Sequence, residues 1–282
     1  MAITTVSPAY ITQFDTLVKQ AYQGTGKLRQ SVRFVDGVEG SVYKFPVLDA
    51  GQATQRGAAG SDLVPMGGTF GQKDCILSDW NATDYVDNWE KLKVNFSIEQ
   101  EYVTRCAKAI ARREDQLVIA ALNTAGAAGT TVPNNVSGSV AGLTVAAVRA
   151  AMSALDDVEA DEDGRFFVFN STAKAKLLSA VEVTSADYAN VKALVNGEVD
   201  TFLGFKFIML GNRAEGGLPK TATTRSCFAY HKDSVGLAVA MDSPVRIEYV
   251  PHKGSWIVDK QYSAGAVVID PKGVVKVQCE EA

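Results

Sequence analysis

Residues 41–60 read SVYKFPVLDAGQATQRGAAG, a strand-like run that ends in a glycine-rich tip. A second strand-like run follows the tip, so the sequence predicts an extended β-hairpin with arms Ser41–Ala50 and Thr69–Thr83. An isolated two-stranded hairpin is only marginally stable in water, and an unpaired strand edge readily pairs with another chain. We therefore expect a neighbouring subunit to cover this hairpin, which favours assembly over catalysis.

Charge supports a contact between two projecting segments. Residues 36–94 carry nine acidic and five basic side chains, a net charge of −4, whereas residues 1–35 carry four basic and one acidic, a net charge of +3. Opposite signs fit a contact between neighbouring subunits, although ordinary solvated surfaces explain the charges equally well. Within the tip, the residues expected to contact a neighbour are Gly51, Gln55, Arg56, Gly57 and Gly60.

A long helix is predicted directly after the hairpin, from about Ser97 to Thr124. Ser97 and Gln100 have the spacing of a capping box. An apolar stripe then follows helical periodicity, through Ile98, Tyr102, Cys106, Ala109, Ile110, Leu117 and Ala121. At 1.5 Å per residue such a helix spans roughly 42 Å, which suits a strut.

The flanking segments predict an α+β fold. Residues 1–35 form an arm whose helical stripe is Ile11, Phe14, Leu17, Val18 and Tyr22. After the long helix, helices are expected over Thr144–Val158 and, capped by Ser171 or Thr172, up to Leu178. Strands are expected over 165–169, 202–210, 226–230, 235–240, 245–250, 255–260, 266–269 and 274–278. The chain begins with strands, continues with helices and strands, and ends with strands. This order favours an α+β fold over a doubly wound parallel sheet.

Composition excludes several classes of protein. The chain has 282 residues, of which 46% are hydrophobic and 21% charged, as expected for a globular protein. A net charge of −4 argues against a surface devoted to binding phosphates, but not against a protein that encloses nucleic acid. The sequence predicts neither a membrane span nor an N-terminal signal peptide. The four cysteines form no CxxC pair and are expected to be buried thiols.

No catalytic, cofactor or metal site is predicted. His231 and His252 lack partners at metal-ligand spacing. Residues 24–27 resemble part of a phosphate-binding loop but lack its first glycine and its hydroxyl residue. Residues 159–164 resemble the start of a calcium loop, but Asn170 occupies the position of the final glutamate, so a solvated acidic turn is expected. The aromatic residues Trp80, Tyr85 and Trp89 are expected to form a packing cluster.

Taken in order, these elements resemble the major capsid protein of tailed bacteriophages, whose fold is shared with the herpesvirus capsid floor and with encapsulins. Four stretches carry the resemblance: Leu28–Arg33 with Tyr43–Pro46, Asp84–Glu90 through Asp115, Leu203–Phe205 with Leu210–Asn212, and His231–Ala240. The resemblance implies an arm (1–35), an extended loop (36–83), a peripheral domain with the spine helix (84–142), an axial domain (143–240) and C-terminal strands (241–282).

The implied function is structural. Many copies, as pentamers and hexamers, would form an icosahedral shell around double-stranded DNA, assembled in the host cytoplasm and found in the virion, with portal, scaffolding and decoration proteins as further partners. Arg29 and Arg33 of the basic arm would face DNA, and no membrane or cofactor is implied. Two alternatives stay open at this point: an encapsulin-type nanocompartment shell, and an α+β enzyme or ligand-binding protein that forms a small oligomer.

Overall fold

The computed structural model describes residues 23–57, 59–60, 62, 65–93, 97–126, 129–179 and 201–281. The predicted helical stripe of the arm, Ile11 to Tyr22, lies outside these residues. Within them, no helix combines the length and apolar character needed to cross a membrane.

The first sheet is built around one long strand. Its strands are β1 (Arg33–Val35), β4 (Ser78–Asp87), β11 (Val235–Asp242), β12 (Arg246–Val250) and β13 (Ser255–Val268). β13 pairs with β4 along one edge and with β12 and then β11 along the other. The sequence predicted two strands over 255–260 and 266–269, but residues 261–265 contain no proline and continue the ladder as one strand.

The spine helix lies across this sheet. It is α2 (Ile98–Gly126), which has 29 residues and a length of about 43 Å, so the predicted long helix is confirmed. Val86, Cys106 and Val258 form a buried cluster between α2 and the sheet. A short helix, α1 (Asn88–Lys93), precedes it.

The second sheet holds most of the core. Its strand order is β5 (Thr130–Val132), β14 (Val274–Glu280), β10 (Thr224–His231), β6 (Arg165–Asn170), β8 (Phe205–Leu210), β7 (Thr201–Phe202), with β9 (Lys220–Thr221) beside β10. The helices of this part are α3 (Val145–Asp156) and α4 (Ser171–Leu178). Phe167, Phe205 and Phe228 are fully buried in one cluster with α3 and α4 residues. The mixed architecture confirms the α+β class.

Two local predictions were wrong in detail. The cap of α4 is Asn170, whose side chain accepts a hydrogen bond from the Ala173 N–H, instead of Ser171 or Thr172. Residues 202–210 form two strands instead of one, because Leu203 and Gly204 adopt positive φ angles of 51° and 75° and close a tight hairpin between β7 and β8.

The third sheet is the hairpin itself, β2 (Val42–Leu48) with β3 (Phe70–Ile76). Its register runs from Val42 opposite Ile76 to Leu48 opposite Phe70. The predicted return arm extended to Thr83, but the hairpin ends at Ile76 and residues 78–87 pair with β13 instead. The Leu77 N–H still donates to the Ser41 carbonyl at 3.0 Å, so the chain changes sheets at this residue.

Gly265 allows the hairpin base to approach β13. A Cβ atom built on Gly265 would lie 2.2 Å from the Ile76 carbonyl oxygen. Gly265→Ala is therefore expected to lower the unfolding free energy by about 1–3 kcal/mol, because backbone must move apart. Urea denaturation checks this. Gly71→Ala is the matched control, since its Cβ would meet only the Val47 carbonyl at 3.9 Å; equal effects of both changes would refute the close approach.

Candidate intersubunit surface

Strand alternation gives the hairpin two different faces. On the inner face, Phe45 and Cys75 are buried against Ala238 and Ile269. Gly236 makes room for the aromatic ring, since a Cβ there would lie 2.5 Å from Phe45 Cζ. Burial raises the pKa of the Cys75 thiol to about 11, so this thiol stays protonated at neutral pH. The inner face anchors the hairpin base to its own subunit.

The opposite face is the outer hairpin face, which consists of Val42, Lys44, Pro46 and Leu48 on β2 and Phe70, Gln72, Asp74 and Ile76 on β3. Its apolar side chains are left in solvent: Leu48 is 57% exposed, Phe70 79% and Ile76 71%. The one ion pair on this face joins Lys44 Nζ and Asp74 Oδ1 at 3.9 Å. Large apolar side chains exposed at both ends of one face are typical of a surface that another protein covers.

The tip residues predicted to contact a neighbour lie in the loop that joins β2 and β3. Gly51, Gln55, Arg56, Gly57 and Gly60 are all exposed. Gly60 has a φ of +90°, a conformation that other residues adopt only with strain. The structure thus places the predicted tip residues at the surface of the subunit, at the end of the hairpin.

The two arginines of the arm lie on the body of the subunit. Leu28 and Val32 are buried in the main core and β1 pairs in parallel with β11, so residues 28–35 are part of the fold. Arg29 Nη1 bonds Asp242 Oδ2 at 3.2 Å, and Arg29 Nε lies 3.7 Å from Glu114 Oε1. Arg33 is exposed, with its guanidinium 5.8 Å from the centroid of the Phe45 ring.

A buried acidic pair on α2 ties several segments together. Asp115 is 1% exposed and accepts hydrogen bonds from the Lys27 N–H at 2.9 Å, the Leu28 N–H at 3.0 Å and Arg213 Nη2 at 2.5 Å. Glu114 accepts one from the Tyr262 hydroxyl at 2.8 Å. Burial raises the pKa of Glu114 despite that bond and the nearby Arg29. No local sequence pattern predicts this pair, because its partners are far away along the chain.

A second ionic cluster fixes the C-terminal end. Glu281 accepts hydrogen bonds from Arg225 Nε at 2.7 Å and from the Asn170 amide, and lies 3.2 Å from Lys220 Nζ. Burial acts to raise the pKa of Glu281, but these three hydrogen bonds outweigh it and hold the pKa below its usual value.

The depressed pKa of Glu281 predicts a pH dependence. The charged form is stabilised in the folded state, so its contribution is present above the usual carboxyl pKa of about 4.3 and is lost as the pH falls through the folded-state pKa. Glu281→Gln is expected to lower the unfolding free energy at neutral pH by about 1–2 kcal/mol, with a smaller effect in acid. Urea denaturation at both pH values measures this. The exposed Glu162→Gln serves as control, and a Glu281→Gln effect that does not shrink in acid would refute the explanation.

His231 and the acidic turn at residues 159–164 make ordinary structural contacts. His231, the last residue of β10, has its Nε2 atom 2.9 Å from the Asp163 carbonyl oxygen. In the acidic turn at residues 159–164, the Arg165 guanidinium donates hydrogen bonds to the carbonyl oxygens of Ala160 and Asp161. These two oxygens are therefore already occupied by a cationic side chain. Among the residues that the structure describes, no three His, Cys, Asp or Glu side chains converge on a metal site.

The predicted aromatic cluster is wrong. Trp80 is half-buried with Arg113 stacked on its ring, whereas Tyr85 and Trp89 are exposed. Among the described aromatic contacts, none joins the three. Tyr85 instead lies under Lys253 Nζ at 3.8 Å.

The chain thus combines a long helix on one sheet, a second sheet that holds most of the core, and a hairpin whose outer face carries exposed apolar side chains. The family described as Phage capsid protein matches residues 6–281, so the chain belongs to this family. Membership confirms the resemblance drawn from the sequence. It makes the chain a structural component of a virion capsid and not an enzyme, and it favours the capsid over the nanocompartment alternative.

Solved structures show the same fold. The capsid of the cyanophage P-SCSP1u matches with a TM-score of 0.77 at 16% identity, covering 97% of this chain and 94% of that one. The head of the Helicobacter pylori bacteriophage KHP40 matches with a TM-score of 0.76 at 11% identity, covering 98% and 96%. A structure of Mycobacterium phage Che8 gives 0.73 at 18% identity, covering 95% and 97%. No curated protein sequence matches the chain.

Proposed function

We propose that the chain is the major capsid protein of a tailed phage, and that pentamers and hexamers of it close an icosahedral shell around double-stranded DNA. The observation that carries this proposal is the outer hairpin face, an apolar surface that its own subunit leaves in solvent. Family membership supplies the context, and structural neighbours include the capsid of a native GTA particle computed with C5 symmetry.

Each part of the chain has a role in this proposal. The extended loop (36–83) lies over an adjacent copy through the outer hairpin face and the tip residues Gly51, Gln55, Arg56, Gly57 and Gly60. The arm (1–35) reaches another copy. Residues 84–142 form the peripheral domain with the spine helix, and residues 143–240 form the axial domain around the symmetry centres. The C-terminal strands (241–282) return to both domains, since β13 lies in the first sheet and β14 in the second. Weak individual contacts suffice, because many act together in each subunit.

Contact with DNA is assigned to the basic part of the arm. Arg33 is the stronger candidate, because it is exposed and its described contact is with the Phe45 ring. Arg29 shares its charge with Glu114 and Asp242, so its attraction for phosphate is weaker. Portal, scaffolding and decoration proteins are the further partners that this role implies, with assembly in the host cytoplasm.

Expression of the chain alone and with its phage partners tests the proposal. Sedimentation velocity and electron microscopy should show closed particles of megadalton mass that enclose DNA when the packaging proteins are present. A discrete dimer or trimer in both settings would contradict it. Closed particles that enclose a protein cargo and exclude DNA would assign the chain to a nanocompartment.

A further inference from the structure

The two free edges of the hairpin differ in their capacity to pair with another strand. In the antiparallel ladder, the Leu77 N–H donates to the Ser41 carbonyl and the Asp49 N–H to the Thr69 carbonyl. Hydrogen-bonded pairs alternate with non-bonded pairs in such a ladder, and the register from Val42–Ile76 to Leu48–Phe70 has no irregularity. The odd-numbered residues of both strands therefore bond across the hairpin, and the even-numbered residues direct their N–H and C=O groups outward.

Pro46 blocks the outer edge of β2. It is one of the even-numbered residues, so the missing N–H is one that would point outward. It lies in the middle of the edge formed by Val42, Lys44, Pro46 and Leu48. Proline in a strand is confined to edges of this kind, where it prevents further pairing.

The outer edge of β3 has no such block. Phe70, Gln72 and Asp74 direct their backbone groups outward, and all three residues are exposed. Of the described strands, only β2 pairs with β3. The edge is closed at Ile76, where the carbonyl oxygen lies against Gly265 of β13. The backbone edge from Phe70 to Asp74 is therefore free to pair, and the exposed Phe70 side chain lies at one end of it.

We infer that the outer edge of β3, from Phe70 to Asp74, binds an extended strand of a second copy of this chain by β-sheet addition. Backbone hydrogen bonds to Gln72 and Asp74 would provide the pairing, and the exposed Phe70 side chain would pack on the neighbouring side chain of the added strand. The occupant is another copy because the chain belongs to a capsid family and the proposed shell consists of copies of this chain. This inference rests on the proposed shell function and specifies how one of its contacts is made.

Gln72→Pro tests the backbone contact directly. Gln72 stands opposite Pro46 in the register, and its N–H points out of the hairpin, so proline removes an outward donor and no hairpin bond. Gln72→Ala is the matched control, because it removes the side chain and keeps the N–H. We expect Gln72→Pro to raise the protein concentration needed for assembly by about tenfold or more, and Gln72→Ala to leave it within about twofold.

Hydrogen exchange separates a blocked edge from a damaged hairpin. The inward amide of Lys73 should stay protected in unassembled Gln72→Pro, and the outward amides of Gln72 and Asp74 should become protected in wild-type shells only.

Wild-type shells without that protection, or normal assembly of both variants, would overturn the inference and leave the shell function standing. Equal failure of both variants with intact hairpins would also overturn it, since the side chain would then carry the contact. Failure of the wild-type chain to assemble would contradict the shell function itself.

Discussion

Replacing Leu48 and Phe70 together by serine is expected to abolish shell assembly and to leave the subunit folded. The two side chains face each other as a cross-strand pair at the far end of the hairpin and are 57% and 79% exposed. In the single subunit they contribute little to stability. Burial of each against a neighbour is worth about 1.5–3 kcal/mol, and this loss recurs at every contact in the shell.

Sedimentation velocity and a thermal unfolding curve measure the two parts of this prediction. Particles should disappear from the sedimentation profile, and the unfolding temperature should stay close to that of the unassembled wild-type chain. Val140→Ser is the matched control, because Val140 is also an exposed apolar side chain, at 62%, but lies outside the hairpin. Normal shells from the double variant would show that the outer hairpin face is not a subunit contact.

Asp115→Ala should have the largest effect on the stability of the single subunit. The change removes the acceptor for two backbone N–H groups of the arm and for the Arg213 guanidinium, which is only 16% exposed. Removing one partner of a buried charge pair typically costs about 3–5 kcal/mol, because the other charge is left uncompensated. Urea denaturation of the unassembled chain measures the loss.

Asp74→Ala provides the comparison for that experiment. Asp74 pairs with Lys44 at 3.9 Å, and both side chains are more than half exposed. Exposed pairs of this kind contribute about 0–1 kcal/mol. If Asp115→Ala destabilised the chain no more than Asp74→Ala, the arm, the spine helix and the Arg213 loop would not be held together by Asp115.

The elements with strong local patterns were predicted correctly. The hairpin start, the spine helix and the helix after Thr144 follow from periodicity and capping residues that lie within a few positions of one another. The change of sheet at Leu77 was missed, because no glycine or proline marks it and β4 is defined by its pairing with β13, far along the chain. Tyr85 belongs to the same strand, where it pairs with Ile257 of β13.

The candidate surface was predicted in part. Alternation shows which side chains share a face of the hairpin, but the inner face is set by Gly236, whose lack of a Cβ accommodates the Phe45 ring. The Asp115 network joins residues that are 87, 88 and 98 positions apart. No local sequence pattern contains such contacts. All four cysteines are free and buried, as the absence of a CxxC pair predicted.

Electron cryomicroscopy of shells assembled from this chain tests the central claim most directly. The density should place the hairpin, residues 42–76, across an adjacent copy, with Leu48 and Phe70 buried between subunits. A closed particle whose hairpins project uncovered into solvent, or fold entirely onto their own subunits, would contradict the account.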